Sequence, residues 1–160
     1  MTDDEPSGGT CTAPEHRQFD FWIGDWDVHD PEGTPVGRNR ITALFEGCAL
    51  REEWSGASGH RGTSLNAWSA SRGSWHQTWV DSSGLVLLLD GSLRDGAMIL
   101  EGTAPSPDGS GAGVRHRISW TVMDGNPDRV RQHWQVAAED GTWQTAFDGR
   151  YVRRATPATG

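Results

Sequence analysis

Turn-forming residues recur along almost the whole chain, at intervals of roughly 8–12 residues. Each turn places Gly beside Asp, Glu, Ser or Asn, as in RDG at 94–96 and EDG at 139–141. Gly accepts a positive φ, and the short polar side chains bond to the turn backbone. Between the turns, residues alternate with a period of two, and helical periodicity is almost absent. This spacing predicts an all-β chain of consecutive hairpins.

About ten strands are predicted, at residues 25–30, 36–46, 48–55, 62–70, 74–81, 84–93, 96–104, 113–123, 128–138 and 142–153. A long meander of this kind removes its exposed edges by closing on itself. We therefore predict an antiparallel up-and-down β-barrel, with a two-sheet sandwich as the alternative. Ten strands enclose a wider lumen than the eight that side chains can fill.

The 160 residues correspond to one domain. Polar, Gly- and Pro-rich composition predicts disordered segments at 1–17 and 155–160 around a single barrel domain at 18–154. A short helix or 3-10 turn near 15–23 is expected to plug one end of the barrel.

The acidic, polar N-terminus does not look like a signal peptide, which predicts a cytoplasmic protein. In that compartment Cys11 and Cys48 are expected to be free thiols, with Cys48 a small core residue.

The formal net charge of −8 argues against binding to nucleic acid or to anionic membranes, because both rely on basic surface. No apolar run approaches the roughly 20 residues that span a bilayer. The expected partner is a small molecule, with no nucleic acid and no membrane, and the protein is expected to be a monomer or homodimer.

Nine tryptophans in a chain with only 34% hydrophobic residues predict an aromatic core that is partly hydrogen-bonded. On four predicted strands a Trp shares its face with one polar side chain: Glu52, Asn66, Gln77 or Gln132. The opposite faces of two of these strands are charged or polar, so the Trp faces are expected to point inward. An aromatic lumen with a few polar groups is typical of small-molecule pockets.

The predicted ligand-binding residues are Trp54, Asn66, Trp68, Trp75, Gln77, Trp79, Trp120, Gln132, Trp134 and Tyr151. The candidate catalytic residues are Glu52 and His116. Burial among indoles would raise the pKa of Glu52 into a useful acid–base range, unless Arg40 or Arg117 pairs with it. The alternative interpretation is structural: the four polar side chains would only accept hydrogen bonds from Trp N–H groups.

Several common catalytic and metal-binding motifs are missing from the sequence. It contains no HxH, HExxH or Cys/His spacing for zinc, no G-x-S-x-G elbow, and no P-loop or dinucleotide fingerprint. We therefore expect no metal site. Which of His76, His116 and His133 face the lumen depends on strand register, which the sequence leaves open.

Four segments resemble a widespread family of short, uncharacterised bacterial proteins: FDFWIGDWDV at 19–28, GCALREEW at 47–54, WHQTWVDSSGLVLLLDG at 75–91 and FDGRYVR at 147–153. That family is similar to the lipocalin-like (calycin) barrels, which include fatty-acid-binding proteins and nitrobindin. The resemblance covers about residues 19–153 and implies a ligand-binding barrel. Nitrobindin-type barrels also carry Gly-x-Trp-x-Gly-x-Gly, whose later glycines are missing from GDWDVHD at 24–30.

The leading functional hypothesis is a barrel that holds a hydrophobic or amphipathic metabolite in a Trp-lined lumen. The second is an enzyme of cyclase or isomerase type, with Glu52 or His116 transferring a proton. The third is a nitrobindin-like haem protein with His116 or His133 as the iron ligand; the other hypotheses need no cofactor. A structural role and sugar binding remain further alternatives.

Overall fold

The computed structural model describes residues 11–106 and 108–155. It contains ten strands: β1 (Gly24–His29), β2 (Pro35–Leu44), β3 (Ala49–Gly56), β4 (Arg61–Ser69), β5 (Ser74–Asp81), β6 (Val86–Arg94), β7 (Ala97–Pro105), β8 (Gly113–Met123), β9 (Asn126–Ala137) and β10 (Trp143–Arg153). All ten coincide with predicted strands, because each turn holds the Gly or Asp that its backbone requires. Gly96, for example, follows β6 with φ of 82°.

The strands form one closed antiparallel barrel in which each strand pairs with its neighbours in the chain. Closure is made by β1 and β10, where Val28 lies opposite Tyr151. The predicted up-and-down barrel is confirmed, and the sandwich alternative is wrong. Among the described residues, no helix has the length and apolar character needed to span a bilayer.

Two 3-10 helices, Pro14–Arg17 and Asp20–Trp22, precede the barrel. Phe19 and Trp22 are fully buried, and their rings stack with centroids 4.8 Å apart. The Phe19 ring also meets the edges of Trp75 and Trp120 inside the barrel. Residues 14–22 therefore plug one end of the barrel, as the sequence predicts.

The cysteine prediction is wrong, because Cys11 and Cys48 form a disulfide with their Cα atoms 5.2 Å apart. The plug carries Cys11 to the third 3-10 helix, Phe45–Gly47, and the guanidinium of Arg17 donates to the Gly47 carbonyl beside it. A cross-link across 37 positions typically stabilises a fold by about 2–4 kcal/mol.

The disulfide bears on two further expectations. Residues 11–17 are ordered, with His16 buried, so the expected disorder of 1–17 is not met there. Residues 1–10 and 156–160 lie outside the described residues. Disulfides persist mainly in oxidising compartments. The cytoplasmic location stays a prediction, and a disulfide is less common in that compartment.

Candidate ligand-binding site

A cavity of about 160 Å³ lies inside the barrel, at the end away from the plug. Its position follows from β5, where Trp75 contacts the plug and Trp79, four residues on, lines the cavity. The wall is formed by Glu52, Trp54, His60, Gln77, Trp79, Leu87, Ile118, Gln132, Trp134, Ala146, Phe147 and Tyr151. Buried core side chains occupy much of the lumen, so the open space is smaller than ten strands alone would suggest.

Four aromatic side chains form the mouth of the cavity: Trp54, Trp79, Trp134 and Phe147. The Trp79 indole donates to Asp81 Oδ2 at 2.9 Å, and the Trp134 indole donates to His116 Nδ1 at 3.1 Å. These two bonds hold the Trp79 and Trp134 rings in their orientation on the cavity wall.

Glycines make room for three of these rings, two of them on the strand next to the ring and one on the same strand. A Cβ on Gly62 would lie 2.2 Å from the Trp79 ring, and one on Gly37 would lie 2.6 Å from the Trp54 ring. A Cβ on Gly149 would lie 2.6 Å from the Phe147 ring. Each ring therefore lies against bare backbone in the barrel wall, and the centre of the cavity stays open.

Glu52 supplies the carboxylate of the cavity wall and is only 4% exposed. Asn39 Nδ2 donates to its Oε2 and Ser64 Oγ donates to its Oε1, both at 2.7 Å. Burial raises the pKa of the Glu52 carboxyl, and these two hydrogen bonds offset part of the rise.

No arginine of the described residues pairs with Glu52. Arg40 faces Asp25 at 3.5 Å, and Arg117 lies 3.9 Å from Glu101. The pairing that would have removed Glu52 from consideration is therefore not made.

Glu52 belongs to a continuous chain of buried polar groups, which we call the polar belt: Gln77, Asn66, Ser64, Glu52, Asn39, Tyr151 and Gln132. On one side, Gln77 Nε2 donates to Asn66 Oδ1 at 2.7 Å, and Asn66 Nδ2 donates to Ser64 Oγ at 2.9 Å. On the other, Asn39 Nδ2 donates to Tyr151 Oη at 2.8 Å, and Tyr151 donates to Gln132 Oε1. Burial and the nearby Glu52 charge raise the pKa of Tyr151 well above its ordinary value.

The polar belt does not accept hydrogen bonds from the tryptophan indoles. The indole N–H groups of Trp26, Trp75, Trp79 and Trp134 donate to other partners: the Trp22 carbonyl, Gln18, Asp81 and His116. No Trp N–H of the described residues donates to Glu52, Asn66, Gln77 or Gln132. The structural interpretation of these four as indole acceptors is therefore wrong.

The structure brings seven of the twelve candidate residues to the cavity wall: Glu52, Trp54, Gln77, Trp79, Gln132, Trp134 and Tyr151. The other five do not line it. Trp75 and Trp120 pack against the plug, Asn66 lies behind the wall in the polar belt, and Trp68 packs against the core.

The strand register shows which of His76, His116 and His133 face the lumen. His116 is buried behind Trp134 rather than on the cavity wall, and burial lowers its pKa. His76 lies on the outer face with Asp90 at 2.9 Å, and His133 lies there with Thr145 at 2.9 Å. His116 is thus the inward one of the three.

Sequence reasoning missed several residues of the site, above all Asn39, Ser64, His60 and Phe147. Asn39 lies between Arg38 and Arg40, so its strand looks solvent-exposed. The signal that was present is the period of two, which puts Asn39 on the face of buried Ile41.

The site does not fit haem. A volume of about 160 Å³ is below the roughly 300–1,000 Å³ of ordinary ligand pockets, and a porphyrin is larger than most ligands. His116 does not line the cavity, and His133 lies outside the barrel. The described residues also contain no cluster of three or more His, Cys, Asp or Glu side chains suited to a metal ion.

Comparison with known proteins identifies no relative. No protein-family model matches the sequence, and no curated protein matches it significantly.

Proposed function

We propose that this protein is a small-molecule-binding β-barrel and that the cavity beside Glu52 is its binding site. One observation carries the proposal: a buried carboxyl, held by neutral donors, faces an open space whose mouth is formed by four aromatic rings. A largely apolar pocket with a few fixed polar groups is the usual form of a ligand site.

The size and polarity of the cavity describe an amphipathic ligand. Its volume is close to the roughly 150 Å³ of a cavity known to hold benzene. A small ring or short chain would lie among Trp54, Trp79 and Phe147. Its polar end would meet Glu52 and Gln132 deeper in the barrel.

Lipocalin-like membership is part of this proposal. Closed antiparallel barrels such as the lipocalins commonly hold a ligand inside, which agrees with the position of this cavity. Since fold alone does not determine function, the proposal rests on the cavity and its residues.

We place binding ahead of cyclase or isomerase chemistry because of how the candidate proton-transfer groups are arranged. His116 does not line the cavity, and Tyr151 stays protonated because its pKa is raised. Glu52 and the half-buried His60, whose Nε2 lies 3.3 Å from Asp81 Oδ2, are then the remaining candidates for proton transfer, whereas binding requires only the observed wall.

Native mass spectrometry tests the proposal. Freshly purified protein, and protein mixed with indole or benzyl alcohol, is expected to carry one adduct per chain. Ile118→Phe adds a ring to the cavity wall and should abolish the adduct, while a thermal melt verifies that the variant folds. A bare polypeptide mass under all these conditions would contradict a binding function.

A further inference from the structure

We propose that the cavity selects a small organic cation, a primary amine or alkylammonium, which Glu52 receives as its counter-ion. The inference rests on the proposed function and narrows it to one class of ligand.

Glu52 has no cationic partner among the described residues. Its two hydrogen-bond donors, Asn39 and Ser64, are both neutral. An ionised carboxylate has about four acceptor positions, and these donors use two of them. Burying a carboxylate without a cationic partner costs free energy. A cation in the cavity would supply the opposite charge that no side chain of the barrel wall provides.

The hydrogen bonds on both sides of Glu52 are directed toward it. From Gln77 to Ser64, each side chain donates toward Glu52, and Asn39 donates to it from the other side. The polar belt therefore stabilises negative charge at Glu52. The acceptor oxygens so fixed match a ligand that brings N–H donors.

The aromatic mouth is also suited to a cation. Trp54, Trp79, Trp134 and Phe147 line the same cavity as Glu52. The faces of such rings attract ammonium groups, Trp most strongly, and aromatic cages are a common way to recognise alkylated amines. The rings offer cation–π contact and the carboxylate offers an opposite charge, so the cavity combines two interactions that bind an organic cation.

Anionic ligands are disfavoured by the same residues. No arginine of the described residues lines the cavity, and the sequence contains no lysine at all. The net charge of −8 adds a field that draws cations and repels anions.

Isothermal titration calorimetry with three probes tests the inference. Benzylamine, benzyl alcohol and benzoate share one ring and differ in the charge of the head group. Benzylamine is expected to bind at least about tenfold more tightly than benzyl alcohol, from a charge-assisted hydrogen bond and cation–π contact. Benzoate is expected to bind most weakly.

The matched variants are Glu52→Gln and Glu53→Gln. Glu53 is the adjacent carboxylate on the outer face, beside Arg51, so Glu53→Gln makes the same chemical change on the same strand without touching the cavity. Glu52→Gln should remove the preference for benzylamine and keep benzyl alcohol binding, whereas Glu53→Gln should retain the preference.

Proton release gives a second readout on the unaltered protein, independent of how Glu52→Gln folds. Benzylamine binding should expel a proton from Glu52 at pH values below its pKa, so the affinity should rise with pH through that pKa. Tyr151 and His60 are the other titratable groups on the cavity wall. The linkage should persist in His60→Asn, and Tyr151 stays protonated throughout.

The outcomes separate the two proposals. Benzyl alcohol binding as tightly as benzylamine would overturn the cation class and leave the binding function standing. If none of the three probes binds, both the cation class and the binding function are overturned.

Discussion

At the scale of single residues, the proposed binding function depends most on Glu52. It is 4% exposed, yet it meets only amide and hydroxyl donors. A carboxyl in such surroundings favours its neutral form, because burial penalises the charge. A cation beside Glu52 would shift this balance toward the charged carboxylate.

The raised pKa of Glu52 makes stability depend on pH in a definite direction. A carboxyl that holds its proton more tightly in the folded state stabilises the fold fully below the unfolded-state pKa. That contribution is lost as the pH rises through the folded-state pKa. Each tenfold difference in proton affinity between the folded and unfolded states is worth about 1.4 kcal/mol. Glu52→Gln should thus gain in free energy of unfolding relative to the wild type as the pH rises.

Urea denaturation across that pH range measures the difference, with Glu53→Gln as the control. The Glu53→Gln curve is expected to run parallel to the wild type. Parallel curves for Glu52→Gln would show that burial does not raise the pKa of Glu52.

The sequence predicts which way Glu52 faces but not which residues it meets. Its neighbours Arg51 and Glu53 are charged, so a period of two turns Glu52 inward. Its partners Asn39 and Ser64 come from other strands, and Tyr151 lies 112 positions from Asn39. Such contacts depend on strand register, which a single sequence does not determine.

At the scale of strands, glycines and a bulge shape the cavity. The register of β10 shifts between Thr145 and Phe147, which inserts Ala146 as an extra residue. Bulges re-aim side chains, and here both Ala146 and Phe147 reach the cavity wall. Alternation alone does not locate a bulge, so it groups Phe147 with Gly149 and Tyr151 but does not place Ala146 on the cavity wall.

Gly62→Ala tests the recess behind Trp79. The added Cβ would overlap the indole, so the ring must move toward the cavity. We expect benzyl alcohol affinity to fall by about tenfold or more, from loss of contact area worth roughly 1–2 kcal/mol. Calorimetry measures the affinity, and a thermal melt confirms folding.

Leu65→Ala is the control for that variant, since Leu65 lies on the same strand with its side chain 54% exposed on the outer face. It should bind like the wild type. Unchanged affinity in Gly62→Ala would mean that the recess does not keep the cavity open.

At the scale of the whole molecule, the barrel has two different ends. The disulfide and the stacked rings of Phe19 and Trp22 close one end. The opposite end keeps an aromatic mouth, and the polar belt lies between the two. Turn spacing predicts the closed barrel because strand length and hairpin chemistry are local. The cavity depends on how large side chains share the lumen, which is a property of the assembled barrel.

A crystal structure of the protein soaked with benzylamine tests the central claim most directly. We expect electron density for the ring among Trp54, Trp79 and Phe147, with the amine within hydrogen-bonding distance of a Glu52 carboxylate oxygen. Density only on the outer surface, or a cavity filled by its own side chains, would contradict the claim that this barrel binds a ligand beside Glu52.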